Sequence, residues 1–235
     1  MTIYERALEL VPDGAVIGLG SGRAAWAFVG LLGERVRSGR LRVRGVPTSE
    51  DTARIAEEHG VPLMGLQEAG ELAVTVDGAD EVDPNLDLIK GYGRALLREK
   101  VVAAASRQLV ILVGEEKRVP QLGSRGRLPV EVVPFAVPLC ERRLADLGLR
   151  PALWEQNGRP GETDNGNHIL DCGTGPIADA ARLEADIRAI PGVVGTGLFV
   201  GMADVVLVGG DRDFRLTREE RRDSSPTPRP KEKPQ

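Results

Sequence analysis

Short apolar runs rich in Val, Ile and Leu recur along the chain, each ending at or near a glycine. Runs of this length with no polar face predict strands buried on both sides in a parallel sheet, here over 15–19, 41–45, 72–76, 109–113 and 205–208. The stretches between them predict helices over 23–32, 50–59 and 94–106. The second helix is well punctuated, with Thr48 or Ser49 as N-cap and Gly60 just past its end. Strand and helix in alternation predict an α/β fold.

The pattern changes after Leu128. Pro129, Pro134 and Pro138 interrupt the chain, and a helix is predicted over 139–147. A polar, turn-rich run over 156–167, an apolar run over 169–172 and a helix over 178–190 come next. The expected architecture is Rossmann-like: a mostly parallel sheet with helices on both faces, plus a smaller inserted α+β domain. Its boundaries are expected at 1–127 and 199–217 for the α/β catalytic domain and 128–198 for the smaller one. From Arg218 to Gln235 there is no apolar residue, and four of the eighteen are proline, so residues 218–235 are expected to form a disordered tail.

Composition narrows the function classes. With 41% hydrophobic residues in 235, the chain can bury a substantial core. Aromatics at 3% leave little material for base-stacking surfaces, and a net charge of −4 gives no basic footprint for nucleic acid. Cys140 and Cys172 cannot make a disulfide framework, which points to a reducing compartment. The start MTIYERALEL lacks a signal-peptide core, and Asp204 and several glycines break the most apolar stretch, 193–210. A cytoplasmic protein that does not engage a membrane is expected.

Chemistry-bearing residues fall where predicted strands end. The first strand runs into Gly20-Ser21-Gly22-Arg23-Ala24-Ala25, which opens a helix whose free N–H groups favour an anion. A dinucleotide would want an acidic residue at the end of the second strand, but Gly45-Val46-Pro47-Thr48 stands there. A small phosphate ester fits better, and a turn used only for packing stays open. The third strand ends in Asp77-Gly78-Ala79-Asp80-Glu81-Val82-Asp83, carboxylates suited to sugar hydroxyls, protons or a solvated turn. The glycine is misplaced for a calcium loop, and His59, His168, Cys140 and Cys172 lack zinc spacing. Lys90 emerges at a glycine turn. Glu99 has only Ala95, Leu96, Val102 and Ala103 at helical neighbour positions, so it reads equally as a desolvated base or a helix-surface charge.

Five blocks, VDGADEVDPNLDLIKG, ALLREK, LPVEVVPFA, TDNGNHILD and IPGVVGTGLFVGMADVVLVG, resemble the A-type ribose-5-phosphate isomerase family in order and spacing from about Val11 to Gly210. The resemblance implies an aldose–ketose isomerase of the non-oxidative pentose phosphate pathway that works through an enediol, without metal or organic cofactor. It implies that Glu99 moves a proton between C1 and C2 and that Asp77 and Asp80 hold the open-chain sugar. Lys90 and the amides of Gly91, Tyr92 and Gly93 would stabilise the oxyanion. Gly20, Ser21, Gly22, Arg23 and Ala24 would hold the phosphate, with Gly78, Ala79 and Lys117 at the ligand. A sugar phosphate is then the partner, and the assembly a homo-oligomer, dimer or tetramer. Two segments depart from the family. Its phosphate loop usually reads GTGSTA, where this chain has Arg23 and Ala24 for two hydroxyls, and its lysine turn usually reads KGGGG, where this chain has Tyr92 and Arg94. A divergent isomerase of another phosphorylated pentose, or a non-catalytic sugar-phosphate sensor on the same scaffold, are the alternatives.

Overall fold

The computed structural model describes residues 1–209 and 217–220. The first half contains α1 (Ile3–Leu8), β1 (Ala15–Leu19), α2 (Arg23–Arg37), β2 (Val43–Pro47), α3 (Glu50–Glu58), α4 (Leu66–Ala69), β3 (Val74–Gly78), β4 (Glu81–Val82), β5 (Leu88–Ile89), α5 (Leu96–Ala104) and β6 (Leu109–Val113). The second contains β7 (Arg127–Val132), α6 (Val137–Asp146), β8 (Arg150–Leu153), β9 (Glu155–Gln156), β10 (Arg159–Pro160), β11 (His168–Gly173), α7 (Ala180–Arg188), β12 (Val193–Thr196), β13 (Leu198–Phe199), β14 (Val205–Val208) and β15 (Thr217–Glu220).

The main sheet has the order β15-β14-β6-β3-β1-β2. Five of its strands are parallel, and β15 closes the β14 edge antiparallel. Alternation along the strands divides the core. Ile17, Leu19, Val74, Val76, Val110, Leu112, Val205 and Leu207 join one cluster with Ala7, Phe28, Leu32 and Ala56 of α1, α2 and α3. Ile111, Val113, Val206 and Val208 point the other way, beside Ala103 of α5. Helices therefore cover both faces, as the unbroken apolar strands require.

A second sheet, β12-β7-β11-β8, is antiparallel throughout and packs on α6 and α7 through Cys140, Leu144 and Ile187. A short sheet, β13-β5-β4, joins the two. Gly197 fixes this junction: it accepts from Lys90 N–H at 2.9 Å and donates to Pro129 O at 2.7 Å. Among the described residues no helix is long and apolar enough to cross a membrane.

Several element boundaries differ from expectation for physical reasons. Helix α2 runs on to Arg37 because its apolar face continues past Gly33. Strand β2 begins at Val43, since the Arg42 N–H is already bonded to Asp13 Oδ1 at 2.8 Å. Strand β3 begins at Val74, and Leu72 instead bridges to Ser106. Helix α5 starts at Leu96 because Arg94 has φ +67° and cannot be helical. The sequence reading missed α1, which Thr2 and Glu5 signal as a reciprocal capping box. Residues 218–220, assigned to a disordered tail, are paired in β15, because an edge strand needs backbone groups and not apolar side chains. The rest of that tail lies outside the described residues.

The centre of the sheet tolerates no added atom at Gly18. A Cβ there would overlap Thr75 Oγ1, itself bonded to Ser106 Oγ at 2.6 Å, and would stand 2.6 Å from Val102 Cγ1. Gly18→Ala should therefore destabilise the fold by about 1–3 kcal/mol through overpacking, read as a lower denaturant midpoint with unchanged slope.

Candidate active site

A cleft of about 600 Å³ opens at the carboxyl ends of β1, β3 and β6. The loop after β1 contributes Ser21, Gly22, Arg23 and Ala24; the loop after β3 contributes Gly78, Ala79 and Asp80. Lys90, Gly91, Gly93 and Glu99 form its floor, and Glu116 and Lys117 stand at the end of β6. In open α/β sheets ligands bind beyond these strand ends.

At the floor, Lys90 is almost fully buried and its ammonium has three partners. It donates to Gly78 O at 2.6 Å and Glu99 Oε1 at 3.2 Å, and lies 3.0 Å from Asp77 Oδ2. Asp77 Oδ1 in turn accepts from the N–H groups of Ser21 at 3.1 Å and Gly78 at 2.7 Å. Glu99 is only 4% exposed, and its Oε2 has no hydrogen-bond partner. Asp80 Oδ2 accepts from Tyr92 N–H at 3.0 Å.

Two carboxylates thus share one buried ammonium, with Asp80 in its field, and the electrostatics follow. Burial pushes Asp77, Asp80 and Glu99 all upward, against the pull of Lys90. Asp77 has two amide donors beside Lys90, whereas Glu99 has Lys90 alone and a second oxygen with nothing. Glu99 is pushed up to about 8, which makes it a carboxyl able to take and return a proton near neutrality. Burial alone would lower Lys90, but Asp77 and Glu99 outweigh it and raise it, so the ammonium stays charged.

The start of α2 is an open helix end. Gly22 at its N-cap offers no side chain, so the first-turn N–H groups are uncapped at the cleft. Arg23 is exposed on the cleft wall. The Ser21 hydroxyl, by contrast, is held among Thr48 at 2.8 Å, Ser49 at 2.7 Å and Thr52 at 3.1 Å, which locks the loop to the start of α3.

Not every expected ligand residue reaches the cleft. Asp77 sits behind Lys90, 1% exposed. Gly20 packs on Asp77, where any Cβ would overlap the carboxylate. Tyr92 turns outward, its hydroxyl accepting from Arg127 N–H at 2.9 Å. Conversely, Tyr4 and Glu116 line the cleft without having been singled out. The Thr2–Glu5 capping box could have revealed the helix carrying Tyr4; nothing separates Glu116 from other surface carboxylates. Among the described residues no group of His, Cys, Asp and Glu could hold a metal ion.

A parallel α/β scaffold with a buried acid–base cluster beside an open helix end is the frame on which similarity to known proteins is found. The family model for ribose 5-phosphate isomerase A (phosphoriboisomerase A) matches residues 44–213, and the chain belongs to that family. It is 53% identical over 208 residues to the ribose-5-phosphate isomerase A of Roseiflexus castenholzii, covering 88% of this chain and 89% of that protein. It is 55% identical over 211 residues to that of Gloeobacter violaceus, covering 89% and 91%. Among solved structures, ribose 5-phosphate isomerase A from Methanocaldococcus jannaschii superposes with TM-score 0.87 at 39% identity, covering 93% of this chain and 96% of that one. A D-ribose-5-phosphate isomerase in complex with phospho-erythronic acid superposes with TM-score 0.88 at 37% identity and the same coverage.

The position of Glu99 on the proton scale has two measurable consequences. A step in which Glu99 accepts a proton should speed up as pH rises through about 8. Its folded value also lies above the ordinary carboxyl value of 4.5, so between these two pH values the folded state holds the proton more tightly than the unfolded chain. The Glu99 contribution to stability is then complete below 4.5 and lost as pH rises through about 8. Urea titrations across this range should show a weaker pH dependence of unfolding free energy in Glu99→Gln than in the wild type.

Proposed function

We propose that the protein interconverts ribose 5-phosphate and ribulose 5-phosphate through an enediol, as a step of the non-oxidative pentose phosphate pathway. The observation that carries this reading is the buried Glu99 carboxyl on the cleft floor, with one oxygen unpartnered and its pKa pushed up to about 8. Glu99 takes the C2 proton of the open-chain aldose, and the electron pair moves toward O1. The resulting enediolate faces the Gly91 and Gly93 amides and the field of Lys90, donors of a kind worth about 10²–10³ each in rate. Asp80 passes the O2 proton to O1. Glu99 returns its proton to C1, leaving the ketone at C2. Asp77, buried behind Lys90, is a positioning residue: it fixes the ammonium and, through Ser21, the loop after β1.

The substrate phosphate sits at the uncapped start of α2, with Arg23 supplying the positive charge and Lys117 closing over the ligand. Arg23 takes the place of two hydroxyls usual in the family. Because a phosphate remote from the reacting carbons is held alike in ground and transition states, its grip appears in KM.

The protein is further read as a cytoplasmic homo-oligomer. Its two cysteines are free and buried, and Phe135 is 98% exposed, an apolar side chain of the kind a second copy would cover.

A panel of phosphorylated pentoses assayed in excess EDTA tests the reaction. Ribose 5-phosphate should be turned over, and Glu99→Gln should lose about 10² or more in kcat. Preference for another pentose would favour a divergent isomerase, and no turnover of any would favour a sensor. For the phosphate grip, Arg23→Ala should raise KM for ribose 5-phosphate at nearly constant kcat. The expected loss is about 1.5–3 kcal/mol, the range of a hydrogen bond to a charged group; an unchanged KM removes Arg23 from the site.

A further inference from the structure

The five residues Lys90 to Arg94 carry the cleft on one side and an ionic cluster on the other. Arg94 has φ +67°, the left-handed region that side-chain-bearing residues rarely adopt. Its guanidinium grips Asp171 of β11 with both ends, Nη1 to Oδ1 at 2.8 Å and Nη2 to Oδ2 at 3.0 Å. Its planar face lies 4.6 Å from the Trp154 ring centroid. Asp171 also meets Arg127 Nε at 3.1 Å, and the Arg127 guanidinium lies 4.8 Å from the Tyr92 ring centroid. Arg94 and Tyr92 are therefore both fastened to the second sheet, and neither lines the cleft.

On the cleft side the same turn presents Lys90 to Asp77 and Glu99, and the Tyr92 N–H to Asp80. If the turn needed only a left-handed backbone, glycine would supply it without strain. An arginine held there by a bidentate carboxylate and an aromatic face is explained by what its side chain reaches. We infer that Arg94, clamped between Asp171 and Trp154, is a positioning residue through which the second sheet sets the Lys90–Arg94 turn, and with it Asp80 and Lys90, for reaction. The inference rests on the isomerase reading of the cleft.

Steady-state kinetics on ribose 5-phosphate test it with Arg94→Gly, Asp171→Asn and the double variant beside the wild type. Glycine keeps the backbone conformation and removes only the clamp, so that variant should fold. Each single variant should lose about tenfold or more in kcat with KM changed much less, since misplaced groups cost rate and not ground-state binding. The double variant should be little worse than either single one, because both break the same contact. A folded Arg94→Gly with kcat within about twofold of wild type would show that the clamp serves stability alone. A rise in KM at unchanged kcat would make Arg94 a substrate contact and overturn the positioning role. Should Arg94→Gly fail to fold, Asp171→Asn, which leaves Arg94 in place, decides by the same two criteria. A wild type that turns over no ribose 5-phosphate overturns the isomerase reading itself, a result distinct from an active wild type with unaffected variants.

Discussion

Lys90 holds the site together from below. Its ammonium is placed under the cleft by a backbone bond to Gly197 and by the short β5–β13 pairing, and it is desolvated almost completely. A buried charge of this kind must be matched by charges of opposite sign with good geometry, and Asp77 and Glu99 supply them from β3 and α5. One ammonium cannot satisfy both carboxylates equally. Asp77 takes the additional amide donors, and Glu99 is left with a free oxygen and a raised affinity for protons. The raised proton affinity of Glu99 thus follows from its burial beside a cation that it shares with Asp77.

The surrounding fold serves this competition by excluding water. Strands β6 and β14 are buried along their whole length, and the cleft opens at the carboxyl ends of β1, β3 and β6, where loops rather than strands meet the solvent. The second sheet adds a different constraint. It contributes no side chain to the cleft wall, yet it contacts the lysine turn through Asp171 and Arg127. The loop leading into β11 reaches α5 and the start of α3: Asn165 Oδ1 accepts from Arg98 at 2.9 Å, and Asp164 Oδ2 from Glu50 N–H at 2.8 Å.

Much of this was legible in the chain, and the gaps have particular causes. The strands over 109–113 and 205–208 could be read from unbroken apolar runs because burial on both faces leaves no other pattern. The open start of α2 could be read from Gly20 to Gly22, and the carboxylates at the end of β3 from their position. Glu99 could not be told from Lys100 by local spacing, because both have apolar neighbours at helical intervals. The distinction is made far away in sequence: Lys100 finds Glu184 at 2.6 Å and the Leu198 carbonyl at 2.6 Å, whereas Glu99 finds only Lys90. Helix α5 starts at Leu96 and not at Arg94, which is left-handed and grips Asp171, seventy-seven positions later. Backbone propensity at one residue carries no trace of such a partner. The family resemblance places Asp77 and Tyr92 at the site; in the structure Asp77 lies behind Lys90, and the Tyr92 hydroxyl meets Arg127 while its N–H meets Asp80.

Neither outermost parallel strand of the main sheet is left bare. On one side β15 pairs with β14; on the other, Gly45 of β2 bonds to Pro62 O at 2.8 Å and receives Met64 N–H at 3.0 Å. A sheet flanked in this way leaves little backbone as a template for a neighbouring molecule's strand, since its outer edges are the four-residue β15 and a β2 engaged at its middle. Pairing through the main chain, which sequence cannot tune, is thereby limited to short stretches. For a protein built on unbroken runs of Val, Ile and Leu, that limit is a guard against amyloid-like stacking.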